Sequence, residues 1–193
     1  MKKITLPVTE SAIRELKVGD EILISGVMIT ARDAAHKHLV ENDDLEAKKV
    51  LEGSMIYHCG PVVAKENGVY RFVSAGPTTS EREEPYEGTV IERYGVRGVI
   101  GKGGMGQKTL DALSKFGAVY LHATGGLAVL LARAVVSVKG VMKITEFGVP
   151  EAMWIIEVKD FPAVVTMDSH GGNLHEQVRS ISAKRLNDLL AIR

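Results

Sequence analysis

The sequence predicts a mixed α/β fold, and three features carry that reading. Short apolar runs alternate with longer amphipathic ones, which argues strand–helix units. Towards the C-terminal third, apolar runs follow one another with no helix between them, which argues some antiparallel pairing rather than a pure doubly wound sheet. No internal repeat and no low-complexity linker interrupts the 193 residues, so one mixed-sheet domain spanning residues 1–193 is expected.

The elements follow in order. Glu21 to Ile29 reads as a strand, and Thr30 is a candidate N-cap for a helix from about Arg32 to Val40, placing Arg32 in its first turn. Met55 to His58 is a strand; Val62–Lys65 and Val69–Ser74 flank Glu66-Asn67-Gly68, a hairpin signal. A polar loop, Gly76-Pro77-Thr78-Thr79-Ser80-Glu81-Arg82, precedes a helix from Pro85 to Tyr94. Strand Val96–Ile100, a glycine-rich turn and a helix from Gly106 to Phe116 make one strand–turn–helix unit. Strand Ala118–His122, the turn Ala123–Gly126 and an apolar helix Leu127–Val136 make a second, and two such turns can face one site. Strands at Val141–Glu146, Met153–Val158 and Ala163–Met167 lead to a closing amphipathic helix, Leu174–Ala191, with Asn173 as its cap.

Composition narrows the function. Twenty-four basic residues balance 24 acidic ones, so neither a nucleic-acid footprint nor a basic membrane patch is expected. The longest uncharged apolar run, Gly125–Ala132, is far short of the ~20 residues of a membrane span, and Met1-Lys2-Lys3 leads to Leu6-Pro7 rather than a signal core; a cytoplasmic protein is expected. The one cysteine, Cys59, cannot supply the three or four thiolates of a structural zinc or iron–sulfur centre, so such a centre would be carried by another chain. His36 and His38 lie two apart and diverge on a helix, so no metal ligands are assigned.

Gly101-Lys102-Gly103-Gly104-Met105-Gly106 matches G-x-G-x-x-G between a strand and a helix. The next strand ends in His122-Ala123-Thr124 rather than the acidic residue a nicotinamide ribose needs, which disfavours a nucleotide-binding oxidoreductase. The phosphate-loop pattern fails too, since Gly103 stands where Ser or Thr should follow Lys102. Two readings stay open: a tight turn with a surface lysine, or an anion site made by the backbone N–H groups of Gly103 and Gly104, a helix N-terminus and Lys102. In the preceding loop Thr78, Thr79 and Ser80 can donate to carboxylate oxygens while Arg82 offers a bidentate clamp; Arg32 could hold a second carboxylate. Taken singly each arginine reads as a solvated side chain; three cations at strand ends next to turns suit a dicarboxylate. Asp168-Ser169-His170 reads as a turn rather than a hydrolytic relay, and Cys59 and Trp154 as core.

On Gly76-Pro77-Thr78-Thr79-Ser80-x-Arg82 together with Gly101-Lys102-Gly103-Gly104-Met105, the chain resembles the beta subunit of the two-subunit iron–sulfur-dependent hydro-lyases, class I fumarase and L-tartrate dehydratase. Thr30-Ala31-Arg32-Asp33, Gly60-Pro61, Glu146–Glu151, Trp154 and Asp168-x-His170-Gly171 extend the likeness over nearly the whole chain. The resemblance implies a swivelling β/β/α domain that closes over an alpha subunit, which binds a [4Fe–4S] cluster with one iron open to substrate. It implies Arg32 and Arg82 as carboxylate-binding groups, with Thr79, Ser80, Gly103 and Gly104 as further substrate contacts. Lys102 becomes a charge-stabilising group and Thr78 a proton-transfer residue. Fumarate hydration is the preferred reading and tartrate dehydration the alternative; a noncatalytic anion-binding or scaffolding module lies outside the enzyme class. Homodimer and heterotetramer both stay open. After Arg82 the chain departs from the family pattern with Glu83-Glu84, whose carboxylates are expected to compete for the Arg82 guanidinium.

Overall fold

Strand β2 (Glu21–Thr30) is the axis about which the other elements are arranged, because it pairs on both edges along its length. In a computed structural model, which describes residues 1–191, β1 (Lys2–Thr5) and β3 (Met55–Tyr57) lie parallel to it, and β6 (Gly98–Gly101) and β7 (Val119–His122) continue the parallel sheet beyond β3. The long strand β9 (Met153–Met167) runs antiparallel to β2, to β7 and to β8 (Val135–Met142). Strands β2, β3, β6, β7 and β9 therefore close into a ring. A hairpin, β4 (Val62–Glu66) and β5 (Val69–Ser74), lies over it with Tyr70 and Phe72 edge-on to Trp154 at 5.0 and 5.9 Å between ring centroids.

The helices are α1 (Glu10–Arg14), α2 (Asp33–Glu41), α3 (Leu45–Leu51), α4 (Glu84–Tyr94), α5 (Gln107–Phe116), α6 (Ala128–Arg133), α7 (Ile144–Phe147) and α8 (Leu174–Ala191). Both faces of the parallel strands are buried, so their alternate residues serve two cores. Met55, Tyr57, Ile100, Val119 and Leu121 face β9 and the hairpin; Ile56, Val99 and Tyr120 face α2–α5. The molecule is thus layered: antiparallel strands, parallel sheet, helices.

Several expected elements end elsewhere, each for a local reason. Thr30 does not cap α2: it closes β2 with its hydroxyl buried, accepting from Trp154 N at 3.2 Å, and Arg32 occupies the cap position with extended backbone. The expected strand Val141–Glu146 is displaced upstream to β8, since Lys143 takes a left-handed conformation (φ 61°) and starts α7. Helix α6 is correspondingly shorter than Leu127–Val136. The two strands expected at Met153–Val158 and Ala163–Met167 are one, because Lys159 and Asp160 form a register irregularity opposite Ser25 while Phe161 and Pro162 pair with Ile24 and Leu23; Asp160 N–H donates to Ser25 Oγ at 3.0 Å. Asn173 does cap α8, its Oδ1 accepting from Glu176 N at 3.1 Å.

Candidate active site

The parallel strands β2, β3, β6 and β7 point their C-terminal ends the same way, and the candidate residues gather there: Arg32 follows β2, Lys102 to Gly104 follow β6, and Thr78 to Arg82 are brought in by the loop after β5. That is where open α/β sheets bind ligands, because the strands end in loops that can diverge. The 76–82 loop returns to fill the gap between the ends of β3 and β6. Pro77 bridges Cys59, Thr78 N–H donates to His58 O at 2.7 Å, Ser80 N–H donates to Lys102 O at 3.0 Å, and Lys102 N–H donates to Thr78 O at 3.2 Å. Thr78, Thr79 and Lys102 thereby sit on neighbouring extended segments. The turn after β7 flanks them, with Gly125 so close to the Lys102 stem that a Cβ there would lie 3.6 Å from Cδ.

Arg32 and Arg82 reach one carboxylate. The Arg82 guanidinium pairs directly with Asp33 Oδ2, and Arg32 Nη2 lies 3.9 Å from the same oxygen. Arg32 is steered there by a slot: its Nε lies 3.2 Å from Glu151 Oε1, and it crosses Gly60, where any Cβ would come within 2.6 Å of Nη1 and 2.9 Å of Pro150 O. Glu151 is held in turn, its Oε2 accepting from Ala34 N at 3.1 Å. The Gly60-Pro61 and Pro150-Glu151 motifs thus have a shared physical role as the two walls around one arginine. Among the described residues Lys102 has no acidic partner within ion-pair distance.

Other expectations meet a different geometry. Ser80 is fully buried, and its hydroxyl lies 2.9 Å from both His58 Nδ1 and Tyr120 OH, so it faces away from any open surface. Gly104 is buried with its N–H on Tyr120 OH at 3.3 Å, and a Cβ there would meet the His175 ring at 2.5 Å; only Gly103 of the pair is exposed. The N-terminus of α5, read above as an anion cradle, is already filled. Glu84 Oε2 accepts from Gly106 N at 2.7 Å and from Thr109 Oγ1 at 2.6 Å, and Oε1 from Thr109 N at 3.2 Å. Glu84 therefore does not compete for Arg82, and neither does Glu83, which is buried facing His36 Nδ1 at 3.7 Å. The carboxylate that Arg82 meets is that of Asp33 instead. Asp168 accepts from His170 N and Gly172 N at 2.9 Å each and from Val18 N at 2.9 Å, so it organises a turn.

Beneath the loops lies a group of buried ionisable side chains that sequence spacing does not reveal. His36 Nε2 and His58 Nε2 approach the same Glu87 oxygen at 3.1 and 3.0 Å. Burial alone lowers the affinity of His36 for its proton, but Glu87, with help from Glu83, overrides this and raises its pKa to about 9. Glu87 is likewise opposed by burial and pulled down to about 2 by His36 and His58, while burial keeps His58 low. Glu83, whose carboxylate oxygens have no hydrogen-bond partner, is pushed up by burial to about 7. These three ligand-type residues, His36, His58 and Glu87, are close enough to hold a metal ion, but the second nitrogen of each histidine is already engaged, by Arg32 O at 2.9 Å and by Ser80.

Comparison with known proteins adds a family. The sequence model of the fumarase C-terminus family matches residues 1–178. A Geobacillus stearothermophilus protein provisionally named a class I fumarate hydratase is 55% identical over 182 residues, 94% of this chain but only 35% of that relative; the chain spans about a third of its length. The Escherichia coli K12 L(+)-tartrate dehydratase subunit beta is 39% identical over 192 residues, covering 98% of this chain and 94% of the relative. A Methanocaldococcus jannaschii protein, provisionally named for the same beta subunit, is 40% identical over 189 residues, covering 95% and 96%.

Proposed function

Since the chain belongs to the fumarase C-terminus family, we propose that it is the beta component of a hydro-lyase, with fumarate hydration to L-malate as its reaction and L-tartrate dehydration as the alternative. The observation that carries this reading is the convergence of Arg32 and Arg82 on one carboxylate, that of Asp33, with Lys102, which has no acidic partner among the described residues, on the segment that pairs with Thr79. A clamp that already holds a carboxylate has the charge and planarity to hold a substrate's. Identity favours the fumarate name, at 55%, whereas the extent of match favours the tartrate beta subunit, whose length the chain covers almost completely.

In this reading Arg32 and Arg82 bind the diacid's carboxylates. Lys102 stabilises the negative charge that builds on the aci-carboxylate as the proton on the neighbouring carbon leaves. Thr78, whose hydroxyl donates to His58 O at 3.1 Å, is the proton-transfer residue in this reading: it takes the carbon-bound proton only as its own hydroxyl proton passes on to water or to a base on the partner chain. Thr79 and the N–H of Gly103 supply further donors. The family resemblance also brings an iron–sulfur cluster, and this chain's residues do not fit one. Its one cysteine, Cys59, is buried, and burial pushes its thiol up to about 12, against the three or four thiolates a cluster needs. The cluster belongs in this proposal to a partner alpha chain, over which the present domain swivels and closes, excluding water from the charged groups. A cytoplasmic setting accords with the free buried thiol.

The test is reconstitution with a cluster-bearing alpha chain, followed by steady-state assay of fumarate hydration and tartrate dehydration. The pair is expected to turn over one of the two, each chain alone neither, and Arg32→Ala or Arg82→Ala to raise KM and lower kcat. A cluster-loaded pair inactive on both diacids overturns the reading.

A further inference from the structure

The hydrogen bonds below the 76–82 loop have one consistent direction. Gly104 N–H can only donate, so Tyr120 OH accepts from it at 3.3 Å and passes its own proton towards Ser80 Oγ at 2.9 Å. Ser80 then donates to His58 Nδ1 at 2.9 Å, and His58 donates from Nε2 to Glu87 Oε2 at 3.0 Å. From the other side His36 Nε2 meets that same oxygen at 3.1 Å while its Nδ1 donates to Arg32 O at 2.9 Å. One buried chain therefore ties the glycine loop, the 76–82 loop and the start of α2, the three segments that carry Lys102, Thr78 with Arg82, and Arg32.

His58 is the node. Its ring lies wholly inside the chain of bonds, its N–H donates to Ile100 O at 2.8 Å, and its carbonyl accepts both the N–H and the hydroxyl of Thr78, at 2.7 and 3.1 Å. Ser80, held by that ring, carries the N–H that binds Lys102 O. Gly101 leaves the room this requires: a Cβ there would overlap Ser80 Oγ and lie 3.3 Å from His58 Nδ1. Buried ionisable groups are a poor route to stability, since apolar residues of like size serve as well or better, so the arrangement calls for another role.

We propose that His58, anchored by Ser80, Tyr120 and Glu87, is the positioning residue of the active site, setting Thr78 and Lys102 in register with each other. The inference rests on the hydro-lyase reading for its catalytic consequence, but not for its structural one. It predicts that breaking the chain at the inward-facing hydroxyls of Ser80 or Tyr120 loosens the Thr78 and Lys102 segments while leaving carboxylate binding nearly intact.

The test uses Tyr120→Phe and Ser80→Ala, which remove one hydroxyl each, beside Tyr94→Phe. The Tyr94 hydroxyl is also engaged, with Leu39 O and Asn42 O at 2.9 Å, but takes no part in this chain. In the full-length chain alone, amide hydrogen exchange at Thr78, Ser80 and Lys102 is expected to quicken at least about tenfold in the first two variants and not in Tyr94→Phe, local opening being read directly by exchange. In the reconstituted complex the same two variants should lose about tenfold or more in kcat with KM changed less than about threefold, as small misplacements of reacting groups do. Unchanged exchange at those three amides overturns the proposal whatever the kinetics. So does faster exchange with wild-type kcat in an active complex. An inactive wild-type complex would instead strike down the hydro-lyase reading, with exchange still deciding whether His58 positions the loops.

Discussion

Two like-charged guanidiniums do not stay together unaided; Asp33, between Arg32 and Arg82, offsets their repulsion. Its side chain is 46% exposed, so the pairing contributes little to stability, about 0–1 kcal/mol for surface pairs of this kind. Asp33→Ala should therefore leave the melting temperature within a few degrees of wild type yet raise KM for the diacid by roughly tenfold, because the clamp is no longer assembled before substrate arrives. A lowered KM in steady-state assay would show Asp33 to be only a competitor. Glu83 allows a second test. Its folded pKa, about 7, lies above the ordinary 4.5, so the folded state holds the proton more tightly than the unfolded one. The stability this confers is complete below pH 4.5 and is lost as pH rises through 7. Glu83→Gln keeps the shape and never ionises; it should melt several degrees above wild type at pH 8, with the gap closing towards pH 4.5, as followed by thermal unfolding across pH.

At the scale of elements, the glycine loop owes its form to packing. Gly101 makes room for Ser80, Gly104 for His175, and Gly106 for Glu84, where a Cβ would come within 2.6 Å of the carboxylate. Glu84 serves α5 from another helix: it supplies the cap that Gly106, at the N-cap position without a side chain, cannot. Glu84→Ala should cost about 1 kcal/mol, within the usual range for lost caps, and Glu84→Gln less, measured by denaturant unfolding. Equal stability of all three proteins would mean that water caps α5 equally well. The same contacts account for the fingerprint spacing by packing alone: glycines are required wherever a neighbouring side chain comes close, whether or not a phosphate does.

For the whole molecule, the closed ring of β2, β3, β6, β7 and β9 with helices on one side buries both faces of the parallel strands before α8 is reached. Every residue of α8 from Glu176 to Ala191 is exposed, including Val178, Ile181, Leu186 and Leu189, whereas His175 packs against Gly104. A chain ended after Val178 should thus melt within about 2 °C of the full one, since little apolar area is removed from the core. A drop of 5 °C or more would show that α8 supports the body from outside these contacts.

The parallel strands from Met55 onward, the 66–68 hairpin turn, helices α4 and α5 and the Asn173 cap were legible because each is written in neighbouring residues: alternation, turn chemistry, capping. So was the placement of Arg32, Thr78, Arg82 and Lys102 in segments that follow strands, since each comes shortly after an apolar run. Local patterns could not show that Lys159 and Asp160 are an irregularity within one strand, because only the pairing of β9 with β2 on either side of Ser25 makes it so. Nor could they show that Ser80 turns inward, that Glu84 fills the cradle offered by α5, or that His36, His58 and Glu87 meet. Those contacts join residues 22 to 51 positions apart on different elements, and their chemistry comes from burial. Sequence sets which charges and hydroxyls a strand end carries. Only tertiary packing decides which of them are left facing outward to meet a ligand and which are spent holding the others in place, because that depends on what excludes water from each one.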